Sequence, residues 1–218
     1  MGKNMEQKKC VVIANGEFPQ KAHAQSVIDQ AEMIVCCDGA TDSLLRYGRE
    51  PDYIVGDCDS ISDALRARFA DRLMHIAEQD DNDLTKCMRF AQAQNVSEVV
   101  ILGATGRRED HTLGNISLLT VYRNWFRRVT MVSDYGVFEP IYNTATFSSF
   151  PGQQISVFAL PPVPHITLHD LRYPFVNRQP MIWWEVSLNE ALTDSFTIEL
   201  HEPGNVIVYK LFEKESKE

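Results

Sequence analysis

The residues in this chain best suited to chemistry are two aspartates in Gly56-Asp57-Cys58-Asp59-Ser60, directly after the apolar run Tyr53-Ile54-Val55. In extended chain, residues two apart face the same side, so Asp57 and Asp59 are expected to project together. Carboxylates held that close repel unless a cation sits between them. Hard oxygen ligands beside a glycine turn suit Mg²⁺, which bridges protein carboxylates and substrate phosphates. Taken alone, the motif reads first as a polar loop with two solvated acids, and the rest of the chain has to support the metal reading. A second group, Gln79-Asp80-Asp81-Asn82-Asp83, opens a helical pattern. Asp83 is expected to join the metal set, although acids at a helix start also stabilise its dipole. A third, Gly103-Ala104-Thr105-Gly106-Arg107-Arg108-Glu109-Asp110-His111, mixes glycine with cations. Its backbone N–H groups, next to a helix N-terminus, form an anion cradle. Arg108 suits bidentate contact with phosphate oxygens. His111 serves either phosphate or the helix start. One acid would accept the proton of an attacking hydroxyl. The chain has no P-loop, no dinucleotide fingerprint after its first strand and no G-x-S-x-G elbow, which excludes those chemistries.

These groups need a scaffold that brings them together. Val11–Ala14, Met33–Cys37, Tyr53–Val55, Val99–Leu102 and Val129–Val132 are compact apolar runs that read as buried strands. Helical patterns lie between them, at Pro19–Gln30, Thr41–Tyr47, Ser62–Phe69, Leu84–Ala91 and about Asp110–Trp125. In the last of these, Leu113, Ile116, Leu119 or Thr120, and Val121 are expected to form the inward face. Alternating strand and helix predicts an α/β domain with a mostly parallel sheet. Its strand ends, at Asn15-Gly16, Asp38-Gly39, Asp57 and Gly103, converge on one edge, where such sheets bind ligands. After about Ser133 helical periodicity stops. Short runs such as Gln154–Leu160, Ile166–Leu168, Met181–Val186, Phe196–Leu200 and Val206–Tyr209, split by Pro- and Gly-bearing turns, predict a small all-β sandwich or barrel. The domains are therefore set at 1–135 and 136–218. In Trp183-Trp184 one ring is expected to face the β core.

Composition narrows the partners. Hydrophobic residues make up 44% and charged residues 23%, as in globular proteins, and the formal charge is −9. An acidic chain is poorly suited to a nucleic-acid backbone. Five cysteines, with no C-x-x-C pair, argue for a reducing, cytoplasmic setting rather than a disulfide framework. Cys58 is expected to point inward as a small apolar side chain. The scattered histidines lack zinc spacing. No run reaches the roughly 20 apolar residues of a membrane span. Met1–Lys9 reads as a polar, frayed tail without a signal core.

The motifs in order resemble the thiamine pyrophosphokinase family. They are Asp38-Gly39, Pro51-Asp52, Gly56-Asp57-x-Asp59-Ser60, Gln79-Asp80-x-x-Asp83-Leu84, Gly103-Ala104-Thr105-Gly106-x-Arg108-x-Asp110-His111 and Asn115-Ile116. The likeness continues through Leu168-x-x-Leu171-x-Tyr173-Pro174 and Ser187-Leu188-Asn189-Glu190. It implies an N-terminal α/β domain for nucleotide and metal, and a C-terminal β-sandwich for thiamine and dimerisation. It implies transfer of the terminal diphosphate of Mg²⁺-ATP to thiamine in a homodimer. By matching positions it implies catalytic and metal roles for Asp57, Asp59 and Asp83. Nucleotide contacts are implied for Asp38, Gly39, Gly103, Thr105, Arg108, Asp110 and His111, and thiamine-side contacts for Gln79, Asp83, Ser187 and Asn189. The chain departs from the family pattern at Ala40, Cys58 and Asn82. Arg107 stands where a second glycine is usual, and Leu188 separates Ser187 from Asn189. Two alternatives follow: a pyrophosphokinase for another small heterocyclic alcohol, and a non-catalytic nucleotide or thiamine sensor.

Overall fold

A computed structural model describes residues 8–212. Of the expected N-terminal tail, residues 1–7 lie outside this range, and Lys9 already opens the first strand. The chain forms two units. The first takes in residues up to Leu118 together with Asn124–Asp134, and the second Leu119–Arg123 with the chain from Tyr135 onward.

The first unit alternates β1 (Lys9–Ile13), α1 (Ala22–Asp29), β2 (Ile34–Cys37), a 3-10 turn (Asp38–Ala40), α2 (Thr41–Tyr47), β3 (Tyr53–Gly56), α3 (Asp63–Arg68), β4 (Leu73–His75), α4 (Asp83–Ala93), β5 (Glu98–Leu102), the start of α5 (Glu109–Tyr122) and β6 (Arg128–Val132). The strands pair in the order β6-β5-β1-β2-β3-β4, every pair parallel. Val12, Ile13, Val35, Cys36, Ile54, Ile101 and Leu102 are fully buried. Each such aliphatic side chain contributes ~1.5–3 kcal/mol by leaving water, which is why these runs are apolar without alternation. The chain steps outward from β1 through β2 and β3 to β4, then crosses back to place β5 on the other side of β1. That reversal leaves a switch point between the carboxyl ends of β1 and β5, the place where open α/β sheets bind ligands.

Helix α4 packs Leu84, Cys87, Met88 and Ala91 inward against β2 and β3. Asn82 caps it, its side-chain oxygen accepting from the Thr85 N–H at 2.8 Å. Ser62 caps α3 in the same way, as its sequence suggests. Helix α5 differs from expectation. Leu113 and Val121 are exposed, while Asn115, Leu119 and Tyr122 are buried. The polar Asn115 is turned inward because its amide donates to the Ala104 carbonyl at 2.8 Å.

The second unit contains β7 (Gly136–Ile141), β8 (Ala145–Ser148), β9 (Gln154–Leu160), β10 (Ile166–His169), β11 (Asn189–Glu190), β12 (Ser195–Leu200) and β13 (Asn205–Leu211). One antiparallel sheet runs β11-β9-β13-β7 and another β10-β12-β8. Alternate residues of both sheets, including Phe147, Ile155, Val157, Phe196, Ile198, Val206 and Val208, share one apolar cluster, as in a β-sandwich. Phe147 stacks on Phe196 with ring centroids 5.2 Å apart.

Met181–Val186 is not a strand. Trp183–Val186 forms a 3-10 turn. The Glu185 carboxylate accepts the N–H groups of Met181 and Ile182 at 2.6 and 3.2 Å, which curls the run back on itself. Trp183 packs edge-on against Phe158 and donates its indole N–H to the Ala159 carbonyl, while Trp184 stays 76% exposed. Among the described residues no helix is long and apolar enough to cross a membrane.

Candidate active site

The ends of β1 and β5 are stitched together. Gly16 and Glu17 donate their backbone N–H groups to the carbonyls of Gly103 and Thr105 at 2.6 and 2.8 Å. A side chain at Gly103, whose φ is +64°, would meet the Ala14 carbonyl at 2.6 Å, so only glycine permits this approach. Around this seam lies a cavity of about 690 Å³. It is lined by the β1 end (Asn15, Gly16), the β3 end (Asp57), the segment before α4 (Gln79 to Asp83), α4 itself (Lys86) and the loop and helix from Ala104 to Asn115. Of the residues singled out in the sequence, Asp57, Gln79, Asp83, Arg108 and His111 line it together.

The two aspartates after β3 are arranged differently from expectation. Cys58 has φ +67°, so the chain turns instead of extending. Its side chain is drawn into an apolar cluster with Ile54, Ile61 and Phe69. Asp57 then accepts the Asp59 backbone N–H at 3.1 Å and the Gln79 amide at 3.3 Å. These bonds, the Asp59 N–H first, hold the Asp57 carboxyl below its ordinary pKa. Asp57 is therefore ionised and aimed at the cavity. Asp59 is exposed and falls outside the lining residues.

Asp38 is buried behind this edge, only 3% exposed. A Cβ at Gly56 would lie 2.7 Å from the Asp38 carboxyl carbon, so glycine at the β3 end is what admits it. One Asp38 oxygen accepts the Gly39 N–H at 2.7 Å, and among the described residues the other makes no hydrogen bond of normal geometry. Burial raises its pKa most, opposed by the Gly39 bond and reinforced by the charges of Asp83 and Asp57. Such a carboxylate is short of a cation.

On the glycine loop, Arg107 occupies a left-handed conformation at φ +61° and donates to the carbonyl and side-chain oxygens of Asn15 at 3.0 and 2.8 Å. It clamps the β5 loop to the β1 end. Replacing it tests this directly. Arg107→Ala and Arg107→Gly both lose the clamp, but only Ala keeps the left-handed penalty of about 1–2 kcal/mol. The glycine variant is expected to be more stable than the alanine variant by about 1 kcal/mol in urea unfolding; equal midpoints would contradict the strain. Arg108 pairs bidentately with Asp110, at 2.5 and 3.1 Å. That pairing, followed by the His111 N–H, brings the Asp110 pKa down to about 2. Gly39 in the turn after β2, Gly103 and Thr105 on the loop after β5 and Asp110 at the start of α5 do not line the cavity.

In the second unit, Asn189 is 3% exposed. Its amide is taken up by the Tyr173 backbone, accepting the N–H at 3.0 Å and donating to the carbonyl at 2.8 Å. Ser187 donates to the Trp184 carbonyl. Leu188, at φ +54°, is 68% exposed.

Sequence reasoning missed Lys86 and Asn15 as cavity residues. Lys86 stands three residues after Asp83, a spacing that pairs side chains on a helix. Asn15 was placed at the converging strand ends, without a role of its own. The cysteines offer no nucleophile. All five are unpaired and buried, and burial pushes the thiols of Cys36, Cys58 and Cys87 up, keeping them protonated.

Fold and site together define an α/β protein with a carboxylate- and cation-lined cavity at its sheet switch point, followed by a β-sandwich unit. A family model described as "Thiamin pyrophosphokinase, catalytic domain" matches residues 24–131, and one described as "Thiamin pyrophosphokinase, substrate-binding domain" matches residues 136–209. The chain belongs to the thiamin pyrophosphokinase family. A thiamine pyrophosphokinase of Bacillus subtilis is 37% identical over 95 residues, covering 42% of this chain and 44% of the relative. One from Oryza sativa is 29% identical over 149 residues, covering 57% and 55%. The chain thus spans about half the length of the curated relatives it matches. The crystal structure of the Bacillus subtilis thiamine pyrophosphokinase superposes with a TM-score of 0.78 at 21% identity, covering 96% of this chain and all of that one. The thiamin pyrophosphokinase of Candida albicans gives 0.81 at 18% identity, covering 95% and 90%. These two establish the fold.

Proposed function

We propose that this chain is an ATP-dependent thiamine diphosphokinase, with Mg²⁺ as its metal. The observation that carries the reading is the meeting of Asp57, Asp83 and Gln79 with Arg108 and His111 around one cavity at the switch point. The thiamine hydroxyl oxygen attacks the β-phosphorus of ATP, and the bond from that phosphorus to the α,β-bridging oxygen breaks. The electron pair leaves with AMP, and the hydroxyl proton passes to a carboxylate, for which Asp83 is the candidate. Such transfer needs positioning and charge neutralisation more than covalent chemistry.

The residues fit a hard cation. Asp38 has an unpartnered buried oxygen, and the ionised Asp57 faces the cavity. Among the described residues no preassembled group of three or more His, Cys, Asp or Glu side chains forms a closed metal cage. That suits Mg²⁺, which takes one or two carboxylates and completes its shell with water and phosphate oxygens. Asp59 and Asp83 are the further candidate ligands. When bound, the metal would neutralise charge on the diphosphate. Gly39, Gly103, Thr105 and Asp110 are assigned to the nucleotide side, with Arg108 and His111. Gln79 is assigned to thiamine. Ser187 and Asn189 support the thiamine side through the backbone they hold in place. A homodimer is supported by the exposed Met181, Ile182, Trp184 and Leu188 on the second unit, an apolar set that isolated surfaces seldom display. Unpaired cysteines accord with a reducing, cytoplasmic setting.

The test is to incubate the protein with Mg²⁺, ATP and thiamine and to resolve the products. Equal amounts of thiamine diphosphate and AMP are expected. ADP without AMP would rule out diphosphate transfer.

A further inference from the structure

Lys86 is difficult to account for by stability. Its side chain is 2% exposed, yet among the described residues its hydrogen-bond partner is a single Asp83 oxygen at a long 3.4 Å. Asp83 is 49% exposed and is solvated without help. Burying an ammonium costs several kcal/mol unless its partners repay it, and one long contact from a group with three donors does not. A methionine would fill the same space without that cost. Lys86 nevertheless sits on α4 between the inward Thr85 and Cys87, where the helix fixes its stem. Lys86 is among the residues that line the cavity, with Asp57, Asp83 and His111.

The other cations of the cavity are already engaged. Arg107 is held by Asn15 and Arg108 by Asp110. Lys86 keeps donors to spare, and it is held by a helix, whereas both arginines stand on a loop. An anion entering the cavity would find in it a fixed, partly unsatisfied positive charge.

We infer that Lys86 is a catalytic residue whose ammonium contacts the oxygens of the transferred diphosphate. The inference rests on the diphosphate-transfer reading and adds a protein-borne cation to the metal. Charge that spreads over phosphoryl oxygens in the transition state is best met by a preorganised donor. A lysine anchored on α4 has little reorganisation to do. Its single bond to Asp83 also keeps the carboxylate and the ammonium at a set spacing.

The experiment compares wild type with Lys86→Met, Lys86→Gln and Lys86→Arg. Steady-state rates are measured with Mg²⁺, ATP and thiamine, and binding of inorganic diphosphate with Mg²⁺ is measured by calorimetry. Lys86→Met is expected to lose about 100-fold in kcat, the usual effect of removing one such donor. Its KM for thiamine should stay within about threefold, its diphosphate binding should weaken at least tenfold (~1.4 kcal/mol), and its melting temperature should hold or rise. Lys86→Arg should recover part of both losses. Unchanged diphosphate affinity in both Lys86→Met and Lys86→Gln would overturn the inference, even where activity falls. So would loss of activity that tracks loss of melting temperature across all three variants. A wild type that binds diphosphate through Lys86 but forms no thiamine diphosphate would sink the reaction assignment and leave the contact standing.

Discussion

Asp57→Asn is expected to abolish turnover, lowering kcat by about a thousandfold or more, with the fold intact. A thousandfold corresponds to ~4 kcal/mol of lost transition-state stabilisation, within reach for a carboxylate that holds a metal against phosphate. The structure explains why the charge matters more than the shape. The Asp59 N–H and the Gln79 amide bind the Asp57 oxygens and keep the group ionised while it faces the cavity. An asparagine keeps the size and can still accept the Asp59 N–H, so the turn around Cys58 survives. The charge is lost, together with the second oxygen that accepts the Gln79 amide. Product analysis by chromatography and near-ultraviolet circular dichroism check the two halves of this statement. A rate within fivefold of wild type would return Asp57 to the role of a loop residue. In titrations with Mg²⁺, residual activity in the variant should need more metal than wild type does.

Asp38→Asn is expected to separate stability from activity. Asp38 is buried with one oxygen unpartnered, beside the charges of Asp57 and Asp83. Its pKa is raised in the folded protein, chiefly by burial. The folded state therefore holds this proton more tightly than the unfolded chain does. Below the unfolded carboxylate range, near pH 4, Asp38 is neutral in both states and its charge costs nothing. Once pH exceeds the folded pKa the carboxyl ionises in place and its destabilising effect is fully present. Removing the charge should stabilise the apoprotein at pH 7 by about 1 kcal/mol, the low end for an unsatisfied buried group. For a chain of this size that is a melting-temperature gain of about 2–4 °C. The gain should shrink towards pH 4. Activity should fall by about 100-fold, because the unpartnered oxygen is the acceptor left for a cation. Calorimetric scans from pH 4 to 8 test the stability half. A variant that melts lower than wild type at pH 7 would contradict it, and one with normal activity would remove Asp38 from the site.

The two expectations differ because the acids are held differently. Asp57 has its charge stabilised by hydrogen bonds from its own loop. Asp38 is buried, takes the Gly39 N–H with a lesser contribution from the Ser60 N–H, and sits where Gly56 leaves space for it. One carboxylate is comfortable without a ligand and the other is not. A cation would relieve Asp38 more than Asp57, which is how stability is given up at a functional edge.

Much of the architecture was legible in the sequence, because side-chain periodicity is a local property. Uninterrupted apolar runs such as Val11–Ile13 and Val99–Leu102 read as buried strands; Val11–Ile13 is buried throughout, and in the second run Val99, Ile101 and Leu102 are buried while Val100 is half-buried. Ser62 was legible as a helix cap from its position before the α3 pattern. The polar residues at the strand ends also marked the sheet edge where the cavity lies. What the sequence could not show was which polar side chains the fold keeps for itself. Asp59 was expected beside Asp57, but packing of Cys58 with Ile54, Ile61 and Phe69 turned the loop and left Asp59 exposed. Asn189 was expected to face a ligand, but the Tyr173 backbone uses its amide. Met181–Val186 read as a strand until Glu185 folded it into a turn. Nothing in the sequence singled out Lys86, which α4 buries on docking. Residue type and element are set by neighbours in the chain. Whether a side chain is offered to a ligand or consumed by the structure is set by partners distant in sequence, and only tertiary packing brings those within hydrogen-bonding distance.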